Sequence, residues 1–154
     1  MAESIARVVV QSGLLPPQRI STAIRSNPDR GLGFKSLGIL VYGLNNDVVD
    51  ASDVIIFSVK PQVAKNVVLQ LRPLLSKKKL LVSIAAGIKL KDLEEWAGHG
   101  QFIRVMPNIP SAAGMAASVM SLGGSATEQD GELVGKLFGS VGKIWKADEK
   151  LFQS

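Results

Sequence analysis

Short apolar runs that alternate with helix-patterned segments are the feature that most limits what this chain can fold into. Residues 54–59 are Val-Ile-Ile-Phe-Ser-Val and residues 80–84 are Leu-Leu-Val-Ser-Ile, and both runs have the length and β-branched content of a strand. Strands that are apolar at consecutive positions are typical of a parallel sheet covered on both faces. Since helical spacing fills the segments between them, the pattern predicts an α/β fold, a parallel sheet flanked by helices.

The predicted elements succeed one another along the whole chain. Strands are predicted at 19–24, 39–42, 54–59, 80–84, 102–106, 118–122 and 143–145, and we expect 54–59 to be the clearest of them. One helix is predicted to begin at residue 2, a second to end at residue 37, and a third to begin at Pro61. Further helices are predicted at 47–51, 90–96 and 127–138, the last capped by Thr127 with Asp130. Right-handed crossovers would place every strand's carboxyl end on one edge, where open α/β sheets bind ligands.

Composition excludes several classes of function. The chain has 154 residues, 46% of them apolar, which fits one domain of ordinary size. There is no cysteine and a single histidine, His99, so zinc sites and thiol nucleophiles are not expected and we predict no metal. The net charge of +5 comes with only five Phe, two Trp and one Tyr, too few aromatic side chains to favour nucleic-acid binding.

The sequence shows no membrane-spanning segment or secretory signal. The longest stretch without a charged residue, 105–127, is interrupted by Pro107, Pro110 and Gly114, and Glu3 and Arg7 interrupt the apolar residues that come after Met1. We therefore expect an intracellular protein.

Residues 25–30 form the first loop with a plausible chemistry. Arg25 and Arg30 flank Ser26 and Asn27, just past the second-strand position of a nucleotide-binding fold. At that position a carboxylate would bind the ribose of NAD, whereas arginine accommodates the additional phosphate of NADP. The segment favours NADP, and an ordinary surface turn at Asn27-Pro28 is the alternative.

Three further loops come directly after predicted strands. Residues 58–61 end an apolar strand and open a helix, so Lys60 and the first backbone amides could hold a phosphate or a ribose. Residues 85–87 are Ala-Ala-Gly, small enough for a flat ring or a pyrophosphate to pass close to the backbone. Residues 106–110 carry two prolines and one amide, Asn108, which could orient a nicotinamide or a substrate. Each loop is also compatible with an ordinary turn.

The residues in and around these loops resemble the amino-terminal, cofactor-binding domain of pyrroline-5-carboxylate reductases, in particular those of plants. The segments that carry the resemblance are Met-Ala-Glu-Ser-Ile-Ala at 1–6, Arg-Ser-Asn-Pro at 25–28, Phe-Ser-Val-Lys-Pro-Gln at 57–62, Val-Ser-Ile-Ala-Ala-Gly at 82–87, Arg-Val-Met-Pro-Asn at 104–108 and Gly-Lys-Ile-Trp-Lys-Ala-Asp-Glu at 142–149. The resemblance implies a Rossmann-type domain in an NADPH-dependent oxidoreductase of proline biosynthesis, which reduces 1-pyrroline-5-carboxylate to L-proline.

The resemblance also implies roles for individual residues. Asn27 with Ser26 would contact the adenosine phosphate, Asn45 would lie near the adenine, and residues 85–87 would run beside the nicotinamide. No catalytic residue is assigned, although Asn108 could act as an orienting group. The predicted NADP(H)-binding residues are Arg25, Ser26, Asn27, Arg30, Asn45, Ser58, Val59, Lys60, Pro61, Ala85, Ala86, Gly87, Met106 and Asn108.

The chain departs from the family pattern in several places. Ile109 stands where the family usually has threonine, and Val8 stands where it usually has glycine. In the family, a strand with a glycine-rich turn precedes the residue matching Met1, and a helical dimerisation and substrate domain comes after the residue matching Phe152. We therefore expect residues 1–154 to form an NADP-binding domain that is incomplete at its amino terminus, and the chain by itself to be weakly active or inactive.

The resemblance has implications for partners and location as well. It implies the small-molecule substrate, homo-oligomerisation through the domain that is absent here, and a location in the cytoplasm or a plastid. One alternative is a related NADP-dependent reductase that acts on another small substrate. The other is a non-catalytic module that binds a nucleotide or a partner protein.

Overall fold

The structure, a computed structural model, describes residues 2–23, 28–76, 78–107, 116–139 and 142–146. The chain divides into two compact units, Met1–Ser52 and Asp53–Ser154, and each contains one sheet. The predicted α/β class is confirmed, since parallel strand pairs joined through helices occur in both units.

The first unit is built around two short parallel strands. Its elements are helix α1 (Ala2–Gln11), a 3-10 turn (Pro17–Arg19), strand β1 (Ser21–Ala23), helix α2 (Pro28–Ser36), strand β2 (Leu40–Tyr42) and helix α3 (Asn45–Asp50). Ser21 is paired with Leu40 and Ala23 with Tyr42. Val9, Phe34, Ile39 and Val49 are buried and supply apolar core residues from both helical and extended segments.

The second unit contains a five-stranded sheet in the order β3-β4-β5-β6-β7. Its elements are β3 (Val54–Phe57), α4 (Pro61–Leu71), a 3-10 turn (Arg72–Leu74), β4 (Leu80–Ser83), α5 (Leu90–Ala97), β5 (Phe102–Pro107), β6 (Ala116–Leu122), α6 (Glu128–Gly139) and β7 (Gly142–Lys146). Each of the seven strands predicted from the sequence is present, with ends within a few residues of the prediction.

The start of α6 is formed by the predicted reciprocal cap. Asp130 N–H donates to Thr127 Oγ1 at 3.1 Å, and Thr127 N–H donates to Asp130 Oδ2 at 2.9 Å. These two bonds satisfy amides that the helix itself leaves without partners. The cap is a local interaction between residues three positions apart, which is why the sequence sufficed to predict it.

The prediction that every strand ends at one edge is wrong for β6 and β7. β6 runs antiparallel to β5, with Ile103 paired with Leu122 and Met106 with Val119, and β7 is parallel to β6. Eight residues separate the two strands in sequence, Pro107 and Ala116 being their nearest ends. A parallel connection needs a crossover of a dozen or more residues, so a connection of this length favours the antiparallel arrangement.

The expectation that 54–59 would be covered on both faces is also wrong, although 54–57 do form a strand. All four residues of β4 are buried, whereas Ile56 of β3 is 36% exposed. Among the described strands β3 has a neighbour on one side only, while β4 lies between β3 and β5. Position in the sheet, which local composition does not reveal, decides how fully a strand is covered.

Large apolar side chains of the central strands form the core of the second unit. Leu81, Val82, Phe102 and Ile103 are each 0% exposed, and burial of one such side chain contributes about 1.5–3 kcal/mol. The rings of Phe57 and Phe102 are stacked at 5.9 Å between centroids. Because Phe57 lies on β3 and Phe102 on β5, this contact spans the strand between them.

The described part of the chain contains neither a membrane span nor a metal-binding cluster. No helix there has the length and apolarity needed to cross a lipid bilayer. No group of three or more histidine, aspartate or glutamate side chains among the described residues could hold a metal ion.

Gly123 provides a sharp test of the packing between β5, β6 and α5. A Cβ at this position would lie 2.5 Å from Glu94 Oε1, 2.7 Å from Gly100 O and 2.8 Å from Phe102 O. Because two of these atoms belong to the backbone, Gly123→Ala should lower the free energy of unfolding by about 1–3 kcal/mol. Gly124→Ala is the matched control, since a Cβ there meets nothing within 4 Å. Denaturant unfolding measures both, and equal stabilities would contradict this packing.

Candidate cofactor-binding site

The carboxyl ends of β3, β4 and β5 lie at the same edge of the second unit's sheet. The three strands are parallel and in register, with Phe57 paired with Ser83 and Ser83 with Arg104. Neighbouring strands lie about 4.8 Å apart, so the segments 58–60 and 84–89 start side by side, and β5 extends three residues beyond them to Pro107. Three of the four predicted loops therefore start from one edge.

The loop after β3 places a lysine at the start of a helix. Ser58 and Lys60 are exposed, and Val59 is half-buried. Lys60 is the N-cap of the 11-residue helix α4, has extended backbone angles, and makes no side-chain cap hydrogen bond. Pro61, the first helical residue, has no N–H, and Val63 N–H donates to Lys60 O at 3.0 Å, so the start of the helix offers the ligand mainly the positive end of the helix dipole and the Lys60 charge. This arrangement suits an anionic or hydroxyl-bearing ligand.

The loop after β4 presents a nearly bare backbone. Ala85 is 5% exposed, and its N–H donates to Ser83 Oγ at 3.2 Å, while Ile84 N–H extends the ladder to Phe57 O at 3.2 Å. Ala86 and Gly87 are exposed. Gly87 has a φ of +73° and nothing lies within 4 Å of the place where a Cβ would be. Hydrogen bonds thus fix the start of the turn, and its exposed backbone leaves the space that a flat ring or a pyrophosphate needs.

The end of β5 contributes Met106, which is half-buried next to Pro107, the last residue of the strand. The predicted orienting residue, Asn108, lies outside the described residues, as does Ile109. The role assigned to this loop therefore stays a prediction.

The remaining predicted residues belong to the first unit. Arg30 is in the first turn of α2, and Asn45 is the half-buried first residue of α3. Arg25, Ser26 and Asn27 lie outside the described residues. That these residues meet the edge of the second unit around one ligand stays a prediction.

Sequence reasoning missed two polar groups at this edge. Ser83, the acceptor for Ala85 N–H, is 0% exposed, and Arg104, its partner in the register, is 3% exposed. Both residues lie in otherwise apolar strand segments. The arginine between Ile103 and Val105 was the signal in the sequence that could have indicated a buried charge.

A shallow cleft of ≈ 210 Å³ lies at the opposite edge, where β5 begins. It is lined by Gly98, His99, Gly100, Gln101 and Ser125. Two hydrogen bonds join its lining residues, since Gln101 N–H donates to His99 Nδ1 at 3.2 Å and Ser125 N–H donates to Gly100 O at 3.0 Å.

Comparison with known proteins identifies the family. Residues 1–87 match the model of the family described as NADP oxidoreductase, coenzyme F420-dependent. The chain belongs to this family. The predicted relation to NADP-dependent oxidoreductases is thereby confirmed, together with the fold class.

Curated relatives confirm the predicted resemblance to plant pyrroline-5-carboxylate reductases. The reductase of Pisum sativum is 66% identical over 154 residues, which are 100% of this chain and 56% of that protein. The reductase of Glycine max is 64% identical over 154 residues, again 100% of this chain and 56% of that protein. The chain thus spans about half the length of the curated relatives it matches.

Solved structures share the fold. A pyrroline-5-carboxylate reductase from Coxiella burnetii superimposes with a TM-score of 0.87 at 26% identity, over 96% of this chain and 56% of that one. The Plasmodium falciparum pyrroline carboxylate reductase, solved with NADP bound, gives a TM-score of 0.81 at 24% identity, over 96% of this chain and 53% of that one.

The backbone of Gly87 can be tested without a cofactor. A φ of +73° costs an L-residue about 1–2 kcal/mol, so Gly87→Ala should lower the free energy of unfolding by that amount through strain. Gly87→Asn should lose less, because asparagine tolerates this conformation better. Gly139→Ala is the control, since Gly139 ends α6 with nothing within 4 Å of an added Cβ and no positive φ. Equal stability of the two alanine variants would contradict the assigned backbone conformation.

Proposed function

We propose that this chain forms the NADPH-binding part of a pyrroline-5-carboxylate reductase, which reduces 1-pyrroline-5-carboxylate to L-proline in proline biosynthesis. The observation that carries the proposal is the shared edge at the ends of β3, β4 and β5. At this edge the start of α4, which has no side-chain cap, follows β3, and the exposed turn with Gly87 follows β4. The 66% identity to the Pisum sativum reductase supports the choice of substrate.

The residues of this edge fit a dinucleotide. The positive end of the α4 dipole and the Lys60 charge would hold phosphate or ribose oxygens, and the turn at 85–87 would lie against the nicotinamide. Met106 and Asn108 would border the reacting ring. When bound, NADPH supplies the hydride that reduces the imine carbon, so the task of these residues is to bind and orient.

The preference for NADPH over NADH is proposed to come from the first unit. Arg25 and Arg30, with Ser26 and Asn27 between them, would hold the 2′-phosphate, because guanidinium groups match phosphate geometry and no carboxylate stands at the end of β1. Asn45 would lie near the adenine.

The substrate site, the proton donor and the oligomer contacts are proposed to lie outside residues 1–154. The reductases of Pisum sativum and Glycine max are nearly twice as long as this chain, and the remainder would provide the helical dimerisation and substrate domain. By this proposal the full-length protein is a homo-oligomer of the cytoplasm or a plastid, and the 154-residue chain turns over little or no pyrroline-5-carboxylate.

A chimera tests the proposed activity. The 154 residues replace the matching residues of the Pisum sativum reductase, and oxidation of NADPH is monitored with pyrroline-5-carboxylate and with a panel of other imines and hydroxy acids. We expect turnover within about tenfold of the parent, or ~1.4 kcal/mol in the barrier, and preference for pyrroline-5-carboxylate. A folded chimera that is inactive, or that prefers another substrate, would overturn the proposal.

Lys60 tests the assigned cofactor edge. Lys60→Met removes the charge at the start of α4 and should weaken NADPH binding to the 154-residue chain about 5- to 30-fold, as expected for one charge-assisted contact of about 1–2 kcal/mol. Lys78→Met is the matched control, because Lys78 is also exposed but precedes β4 at the opposite edge. Fluorescence titration measures both affinities. Equal weakening in the two variants would place the dinucleotide elsewhere.

A further inference from the structure

Three buried polar residues lie side by side across the sheet of the second unit. Ser83 on β4 is paired with Arg104 on β5, and Arg104 is paired with Ser121 on β6. They are 0%, 3% and 5% exposed, respectively, within strands that are otherwise mostly apolar. We call these three residues the buried polar row.

The members of the buried polar row share one face of the sheet. Residues directly opposite each other in paired strands have Cβ atoms about 4.5–5.5 Å apart and project to the same side. Arginine offers five N–H donors and no acceptor, and a buried charge is stable only among hydrogen-bond acceptors. The register places a serine, whose hydroxyl oxygen is able to accept a hydrogen bond, on each side of Arg104.

Ser83 and Ser121 lead to opposite edges of the sheet. Ser83 is the last residue of β4, and its Oγ accepts the N–H of Ala85 at 3.2 Å, in the turn that leads to Gly87. Ser121 lies on the antiparallel strand, so the chain after it runs to the edge where β5 begins. The Ser83 hydroxyl therefore bonds to the turn at the candidate cofactor edge, whereas the chain that follows Ser121, which is also buried, runs away from that edge.

We propose that Ser83 is a positioning residue of the cofactor site, held in place by the buried polar row. This inference rests on the proposed NADPH-binding function. Its hydroxyl fixes the direction of Ala85 N–H, and with it the path of the turn that carries Gly87. Ala85 is 5% exposed, so loss of the acceptor leaves a nearly buried amide without this partner and favours rotation of the turn. Ser83 acts through this backbone turn and does not touch the cofactor.

The test compares Ser83→Ala with Ser121→Ala in the 154-residue chain. Both changes remove one buried hydroxyl beside Arg104, so both report any general cost of disturbing the row. Three quantities are measured: the NADPH dissociation constant, the melting temperature, and the hydrogen-exchange rate of the Ala85 amide by NMR. Ser83→Thr restores the hydroxyl on a residue type that suits a strand.

We expect Ser83→Ala to weaken NADPH binding about tenfold more than Ser121→Ala, the equivalent of ~1.4 kcal/mol or one hydrogen bond. The Ala85 amide should exchange at least about tenfold faster in Ser83→Ala and unchanged in Ser121→Ala, with Ser83→Thr close to wild type. Equal affinities of the two alanine variants, or an unchanged Ala85 exchange rate in Ser83→Ala, would overturn the inference.

Failure of the proposed function gives a different result. A folded wild-type chain that binds no NADPH would overturn the proposed function, and with it the positioning role that rests on it. In that case the exchange rate of the Ala85 amide still shows whether Ser83 fixes the turn.

Discussion

The backbone hydrogen bonds that pair β3 with β4 and β4 with β5 in parallel are the constraint on which the candidate site depends. Parallel strands require crossovers, here through α4 and α5, and each crossover returns the chain to the same starting edge. The residues that leave the three strands therefore collect at one place, although they are separated by more than 20 positions in sequence. Register matters as well, because a slip by one residue would turn Ser83 and Arg104 to the other face.

The two edges of this sheet differ in hydrogen bonding and in exposure. At the start of β5, Gly123 N–H donates to Phe102 O at 2.7 Å and Gly124 N–H donates to Glu94 Oε1 at 3.2 Å. At the carboxyl ends of β3 and β4, Ser58, Ala86 and Gly87 are exposed and the start of α4 carries no side-chain cap. One edge is closed by hydrogen bonds between its own strands and helix, and the other leaves an exposed lysine and an exposed glycine turn available to a ligand.

The buried polar row connects the core of the second unit to the candidate cofactor edge. Burial of Arg104 is costly unless acceptors surround the guanidinium, and a serine stands beside it on each neighbouring strand. Because Ser83 also accepts the amide of Ala85, the same row that accommodates a charge reaches the turn at the cofactor edge. By this inference Ser83 contributes both to the stability of the sheet and to the shape of the proposed site.

Local chemistry was sufficient to predict the strands, the cap formed by Thr127 with Asp130, and the loops after β3 and β4, because these depend on residues close together in sequence. The direction of β6 and the exposure of Ile56 were predicted wrongly, since strand pairing and sheet position set them. The pairing of Ser83 with Arg104 could not be predicted for the same reason. The sequence by itself determined which segments form strands and which form helices, because that choice depends on residues close together in the chain. Only the tertiary structure decided which strands are neighbours, because pairing joins residues that the chain keeps far apart.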